Sequence, residues 1–355
     1  MGSPLLKIIL QTGRLFAISP AIEETNLQTQ ISKLYSLSIF TTLTAILIFS
    51  VSTKVYNIKL GILHLIVTHL NQLIIHAFTF LVMIVLNVWK RNLWLDFLKT
   101  ISKQEVQHGK KVRYYFGFFL VQGLYWVQAL YYGYVRITTL KNWYFVLTLA
   151  LFLYEQYLPY YFAAFLYVVI RMFLKRYQEF NKVLLAMGNK NAISLQFVKS
   201  LEREIVVLKK TVDNFSDMFG WPVVFMVIST TVSILYTIEL MYYPEEDEFT
   251  NNNPVRSAWS ITYVATKVIY TINLLLMCDY VVQEGKRTVL LTYDLRWRLR
   301  NTSNQDRQEL YEFTKVVSKN VPIFTAAGLF ELGRPMVFQV AGIVFTYSII
   351  LIQFH

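Results

Sequence analysis

The chain alternates between long apolar stretches and shorter polar ones, and seven apolar stretches approach or exceed the ~20 residues that span ~30 Å of hydrocarbon as a helix. They fall at roughly 34–52, 62–88, 114–135, 143–170, 220–241, 257–283 and 335–354. Pro335 suits the first turn of the last one, where no backbone N–H is needed. The polar stretches are not simple loops. After the fourth span, Phe173, Tyr177, Phe180 and Leu184 keep helical spacing, so that helix is expected to run on past the membrane. Before the fifth, Leu195, Val198, Leu201, Ile205, Leu208, Val212, Phe215 and Phe219 recur every three or four residues, with charges between them. That is the stripe of a packed helical layer. The stretch "TSNQDRQELYEFTKVV" opens with a Ser303/Asp306 capping pattern and adds another amphipathic helix. The expected architecture is therefore all-α. It has an N-terminal segment (1–33), spans one to four (34–174), helical extensions (175–219), spans five and six (220–283), further helices (284–334) and a last span (335–355).

Composition agrees with a polytopic membrane protein. Hydrophobic residues make up 55% of the chain, charged residues 16%, and the mean hydropathy is +0.41. Soluble domains have about 45–50% apolar and about 25% charged residues. Charge then sets the orientation. The N-terminal segment and the stretches 89–113, 175–219 and 284–320 hold 26 Lys and Arg, and the alternate loops hold five. The positive-inside rule places the N-terminus in the cytosol and His355 outside. The helical extensions then form a cytosolic anchor layer. The net charge of +12 is thus a topology signal, and no nucleic-acid partner is expected. The acidic run Glu245, Glu246, Asp247 and Glu248 falls outside, away from anionic lipid. The triplets at Asn214 and Asn301 fall on the cytosolic side and should carry no glycan. No cleavable leader is visible, because "LLKIILQTGRLFAIS" is broken by Lys7 and Arg14.

Few residues offer chemistry of their own. Cys278 is the single cysteine, so no intrachain disulfide is possible. His64, His69 and His76 share the second span at spacings of five and seven, with no acidic residue close in that span. A metal site is not expected there, nor any other cofactor. No hydrolytic triad or phosphate loop is present, and no enzyme is expected. Glu155 and Lys267 lie inside spans four and six, where a charge costs about 2.5–3.5 kcal/mol on insertion scales. They could form a structural pair, or one of them could face a ligand. In the last span, Gln339, Thr346 and Gln353 fall within about 40° of one another on the helix, with Ile343 and Ile350 beside them. Such a stripe suits a water-filled path, or helix packing through Gly342 and Thr346.

The final ten residues, "TYSIILIQFH", contain a Thr-Tyr pair, five hydrophobic positions and a Gln-Phe pair. This run of Thr346, Tyr347, Gln353 and Phe354 resembles the signature that closes the last helix of insect gustatory receptors. The preceding "FTAAGLFELGRPMVF" is similar to that family's Ala-x-Gly-x-Phe approach to the helix. The resemblance implies a tastant-gated, non-selective cation channel, related to insect odorant receptors, in the plasma membrane of chemosensory neurons. Its partners would be a small-molecule tastant (a bitter plant compound or a sugar), permeating cations, membrane lipids and further copies in a homotetramer, or related receptors in a heteromer. The last helix of each subunit would line the pore. On that reading Gln339, Thr346, Ile350 and Gln353 face the path, and Phe354 closes its outer mouth. The ligand would sit in each subunit among the first six spans. Candidate contacts there are His69, Gln72, Gln128, Tyr131, Tyr132, Tyr154, Glu155, Gln156, Trp259, Thr262, Tyr263 and Lys267.

Two other functions compete. A seven-helix G-protein-coupled chemoreceptor needs the opposite orientation and usually a cytosolic tail. A secondary transporter is expected to show internal repeats or interrupted helices in both halves. The loop charges oppose the first, and nothing in the chain suggests the second.

Overall fold

A computed structural model of the chain describes residues 4–20, 26–55, 62–106, 114–139, 143–188, 195–242, 253–298 and 304–353. Ten α-helices account for nearly all of them: α1 (Pro4–Leu15), α2 (Asn26–Val55), α3 (Ile62–Phe80), α4 (Arg91–Val106), α5 (Tyr114–Thr139), α6 (Trp143–Met187), α7 (Leu195–Tyr242), α8 (Asn253–Arg298), α9 (Asn304–Lys319) and α10 (Arg334–Gln353). All seven expected spans fall on helices, the last as far as Gln353. Among the described residues, five stretches are long and apolar enough to cross a membrane: Asn26–Phe49, His69–Trp89, Leu153–Met187, Gln196–Ile238 and Ser260–Arg298. The stretch Arg334–Ile350 is apolar but shorter. The described chain divides into two compact units.

The first unit comprises residues 1–165, 221–272 and 337–355. Helix α3 continues through a wide π-helical stretch, Leu81–Trp89, closed by the Lys90 N–H donating to the Val85 carbonyl at 2.7 Å. Such wide turns expose backbone and side chains that a regular helix would stack. Here Asn87 uses its amide to reach the Ala17 carbonyl. The first 33 residues read as a cytosolic segment, yet residues 9–18 contribute Ile9, Leu10, Ala17 and Ile18 to this unit's core. Side chains from the other helices hold the carbonyls of this segment. Tyr154 donates to Phe16 at 2.8 Å, Tyr35 to Leu15 at 2.7 Å, and Tyr161 to Ile9. The Phe16 ring packs among Trp126, Tyr154, Tyr157 and Tyr161. Several of these carbonyls lie at the α1 C-terminus or just beyond it, where helical acceptors lack partners.

The second unit comprises residues 166–220 and 273–336. The extensions of α6 and α7 form as expected: Phe173, Tyr177, Phe180 and Leu184 are buried, as are Val198, Leu201, Ile205, Leu208, Val212, Phe215 and Phe219. Phe173, Phe215 and Phe324 form one aromatic cluster, with Phe215 and Phe324 edge to face at 5.4 Å. One expectation needs correcting. Residues 284–334 read as helices throughout, but a two-stranded antiparallel hairpin, β1 (Thr325–Ala326) and β2 (Phe330–Glu331), follows α9. Its turn has positive φ at Ala327 (53°) and Gly328 (71°), closed by the Leu329 N–H on the Ala326 carbonyl at 2.9 Å. Both residues lie in the left-handed region, within a three-residue connection between the paired Ala326 and Phe330. The Ala-x-Gly-x-Phe approach is therefore a tight reverse turn. Gly220 of α7 lies against it: a Cβ there would stand 2.3 Å from the Ala327 nitrogen.

Candidate functional site

Within the first unit, α6, α7 and α8 leave a crevice lined by Pro159, Tyr160, Ala163, Met226, Thr230, Lys267, Tyr270 and Thr271. Its free volume is about 10 Å³, room for about one water molecule. Pro159 lies inside α6 and has no N–H to donate. Tyrosines dominate one wall. Tyr160 meets Tyr270 edge to face at 5.2 Å and Tyr125 at 4.9 Å, and its hydroxyl donates to the Tyr263 carbonyl at 2.8 Å. The Tyr263 hydroxyl donates in turn to the side-chain oxygen of Gln156.

Lys267, 4% exposed, is the charged residue among the lining residues. Its Nζ donates to Ser229 Oγ at 2.6 Å, Ser233 Oγ at 2.9 Å and the Ser229 carbonyl at 3.3 Å. It lies 5.4 Å from the Tyr263 ring centroid, within cation–π range. The Ser233 hydroxyl donates in turn to Asn71 Oδ1 of α3 at 3.2 Å. A second link, Thr230 to Thr271 at 2.9 Å, runs beside it.

Glu155 and Lys267 do not pair. Glu155 Oε1 bonds His76 Nδ1 at 3.1 Å, and His76 Nε2 meets Thr44 Oγ1 at 3.1 Å. The His76 ring stacks on Phe40 with centroids 4.9 Å apart. The pairing is set by which face of α6 turns to α3, and that rotation cannot be read from residue counts to the membrane surface. Lys267 instead faces α7, where two serines four residues apart supply oxygen atoms.

The other expected contacts divide. Gln156, Tyr263 and Lys267 meet around α8, and Lys267 alone of them lines the crevice. Tyr154 is committed to the Phe16 carbonyl. His69 and Gln72 flank Asn71 on α3, and the buried His69 nitrogens and Gln72 Oε1 have no hydrogen-bond partner among the described residues. Gln128 Oε1 of α5 is likewise buried without one. Tyr131 is 59% exposed, Tyr132 is half-buried, and Thr262 is exposed and donates to the Ala258 carbonyl of its own helix. The Trp259 side chain lies outside the described residues. On α10, Gln339, Thr346, Tyr347, Ile350 and Gln353 are all exposed in the single chain, and Phe354 lies outside the described residues. Thr346 donates to the Gly342 carbonyl at 2.9 Å, and a Cβ on Gly342 would meet nothing within 4 Å.

Sequence reasoning missed Tyr160, Tyr270, Ser229, Ser233, Asn71 and His76 as parts of this region. Ser229 and Ser233 had a signal: hydroxyls at i and i+4 in an apolar span share one helix face and suit a buried donor across from them. Tyr160 and Tyr270 had none that separates them from the tyrosines of an interfacial belt.

Comparisons with known proteins bear on what this geometry serves. The family model of the 7tm chemosensory receptors matches residues 6–355. Among solved structures, the chain is similar to the insect olfactory receptor OR5 from Machilis hrabei, with a TM-score of 0.71 and 11% identity, over 99% of this chain and 97% of that one. It is also similar to the same receptor in complex with eugenol, with a TM-score of 0.68 and 12% identity, over 99% and 97% of the two chains. No curated protein matches it in sequence.

Proposed function

The chain belongs to the 7tm chemosensory receptor family, and from that premise we propose that it is a tastant-gated, non-selective cation channel. Four copies surround one pore, and α10 of each lines it. The observation that carries the reading is α10 itself. It is apolar over most of its length, yet Gln339, Thr346 and Gln353 form a polar stripe that nothing in the single chain covers. A polar stripe on a membrane helix is costly against lipid and favourable against water. A central aqueous path gives it water, and neighbouring copies cover the exposed Phe338 and Phe345.

The ligand binds within the first unit, and its class is a bitter plant compound or a sugar. Support for a small-molecule site comes from the similar olfactory receptor solved with eugenol. The channel operates in the plasma membrane of chemosensory neurons, as a homotetramer or with related receptors.

Excised membrane patches test this without cellular signalling. In cells expressing the chain alone, a tastant should evoke a cation current that persists without nucleotides or G proteins, and a tag after His355 should be reached by antibody on intact cells. A current that vanishes on excision, together with a tag accessible only after permeabilisation, points to a G-protein-coupled receptor instead.

A further inference from the structure

His76 of α3 meets both α2 and α6, and its hydrogen bonds fix how many protons the site holds. The Thr44 hydroxyl has one hydrogen, and it goes to the Phe40 carbonyl of its own helix at 2.8 Å. Toward His76 Nε2, 3.1 Å away, Thr44 can therefore only accept, and Nε2 carries a hydrogen. A neutral imidazole has one N–H, so Nδ1 would then be bare. Yet Nδ1 lies 3.1 Å from Glu155 Oε1, and an ionised carboxylate has no hydrogen to offer. Two lone pairs would face each other unless one more proton sits between them. Charge leads to the same count. His76 and Glu155 are largely buried among apolar helices, and among the described residues Glu155 pairs with no other cation. Lys267, the partner expected from the sequence, is committed to Ser229 and Ser233. A buried carboxylate without a counter-charge is costly, and one extra proton makes the pair neutral whether it rests on nitrogen or on oxygen.

We infer that His76 and Glu155 together bind one exchangeable proton, and that this proton fastens α6 to the α2–α3 pair. The inference goes beyond the proposed channel function and does not depend on it. The proton belongs to the pair: an imidazolium beside a carboxylate and a neutral ring beside a carboxylic acid are two forms of one protonation state. Its loss leaves a carboxylate oxygen against a bare nitrogen and breaks the link from α6 to α3. The ring keeps its Thr44 bond and its stacking on Phe40. The other titratable groups acting at this corner are Tyr154, beside Glu155 on α6, and Tyr35 of α2. Both hydroxyls are neutral donors to carbonyls of the N-terminal segment, Tyr154 to Phe16 and Tyr35 to Leu15, so neither supplies the counter-charge. The unfolded chain gives up this proton as pH rises while the folded pair holds it, so rising pH removes stability.

The test is thermal unfolding of the purified full-length receptor in lipid nanodiscs from about pH 5 to about pH 9, across the range in which histidine changes charge. It compares the wild type with Glu155→Gln, whose amide N–H donates to Nδ1 of a neutral ring and so replaces the shared proton with a fixed hydrogen. As pH rises, the wild type should lose stability relative to the variant, by up to about tenfold in the folding equilibrium per pH unit. The readout is a wild-type melting temperature that falls against the variant's. If Glu155→Gln fails to fold, the double variant His76→Gln/Glu155→Gln, which keeps an amide pair with no proton to exchange, takes its place. Parallel curves, or a wild type that gains on the variant as pH rises, are the mark of a neutral ring beside an ionised carboxylate and would overturn the inference.

Discussion

His76 joins three helices through one ring: Nδ1 to Glu155, Nε2 to Thr44, and its face to Phe40. Both members of the His76–Glu155 pair are largely buried, at 11% and 14% exposure, so removing either strands the other in an apolar setting. His76→Ala and Glu155→Ala should each lower the melting temperature and surface expression. The double variant should lose less than the two losses added, with a coupling of about 0.5–3 kcal/mol. Strict additivity would show the contact to be incidental. Lys267 shows where residue-level reading of the sequence stopped. That it is a buried charge needing explanation followed from its place in an apolar span. Its partners did not, because they depend on which face of α8 turns to α7. Backbone fit gives another residue-scale expectation. Gly220→Ala places a methyl 2.3 Å from the Ala327 nitrogen, so the hairpin or α7 must shift. Overpacking of this kind costs about 1–3 kcal/mol, measurable as a lower melting temperature.

Among the elements, α7 carries the most regular signal, and its heptad stripe is buried within the chain's own second unit. The stripe is therefore part of the chain's own core. Leu208→Asp should cost several kcal/mol through an unpaired buried charge. It should stop the receptor folding and reaching the surface, as read by surface labelling, and not merely dissociate folded copies. Helix α10 starts from a defined anchor. The Arg334 Nε lies 2.8 Å from Asp279, and its guanidinium sits 5.6 Å from the Tyr280 ring centroid. Either neutralisation, Arg334→Gln or Asp279→Asn, should shift the ligand concentration response, and exchanging the two charges should restore part of it. If exchange restores nothing, the ion pair does not set the position of α10. The hairpin that precedes α10 escaped the sequence reading for a simple reason. Its strands are two residues each, and one of the two positive-φ positions is filled by Ala327 rather than by glycine or asparagine. Periodicity cannot register so short an element.

For the whole molecule, hydropathy located the seven apolar helices because each is a run of about 20 residues, far longer than the noise in composition. The N-terminal segment is the counterexample. Lys7 and Arg14 make α1 amphipathic rather than a continuous apolar run, yet Ile9, Leu10, Ala17 and Ile18 are core residues of the first unit. Amphipathicity reports that one face is buried, without saying against what. The central claim, that α10 lines a water-filled path, has a direct test because Cys278 is the single cysteine and is buried. Cysteine can therefore be introduced at Gln339, Thr346 and Gln353 in turn, with Phe338 and Phe345 as controls on other faces of the helix. A charged, water-soluble thiol reagent is then applied during ligand-evoked current. The account predicts rapid, irreversible block at the three polar positions and little change at the two phenylalanine positions. Unchanged currents at Gln339, Thr346 and Gln353 alike, in variants shown to reach the surface and open to ligand, would contradict it.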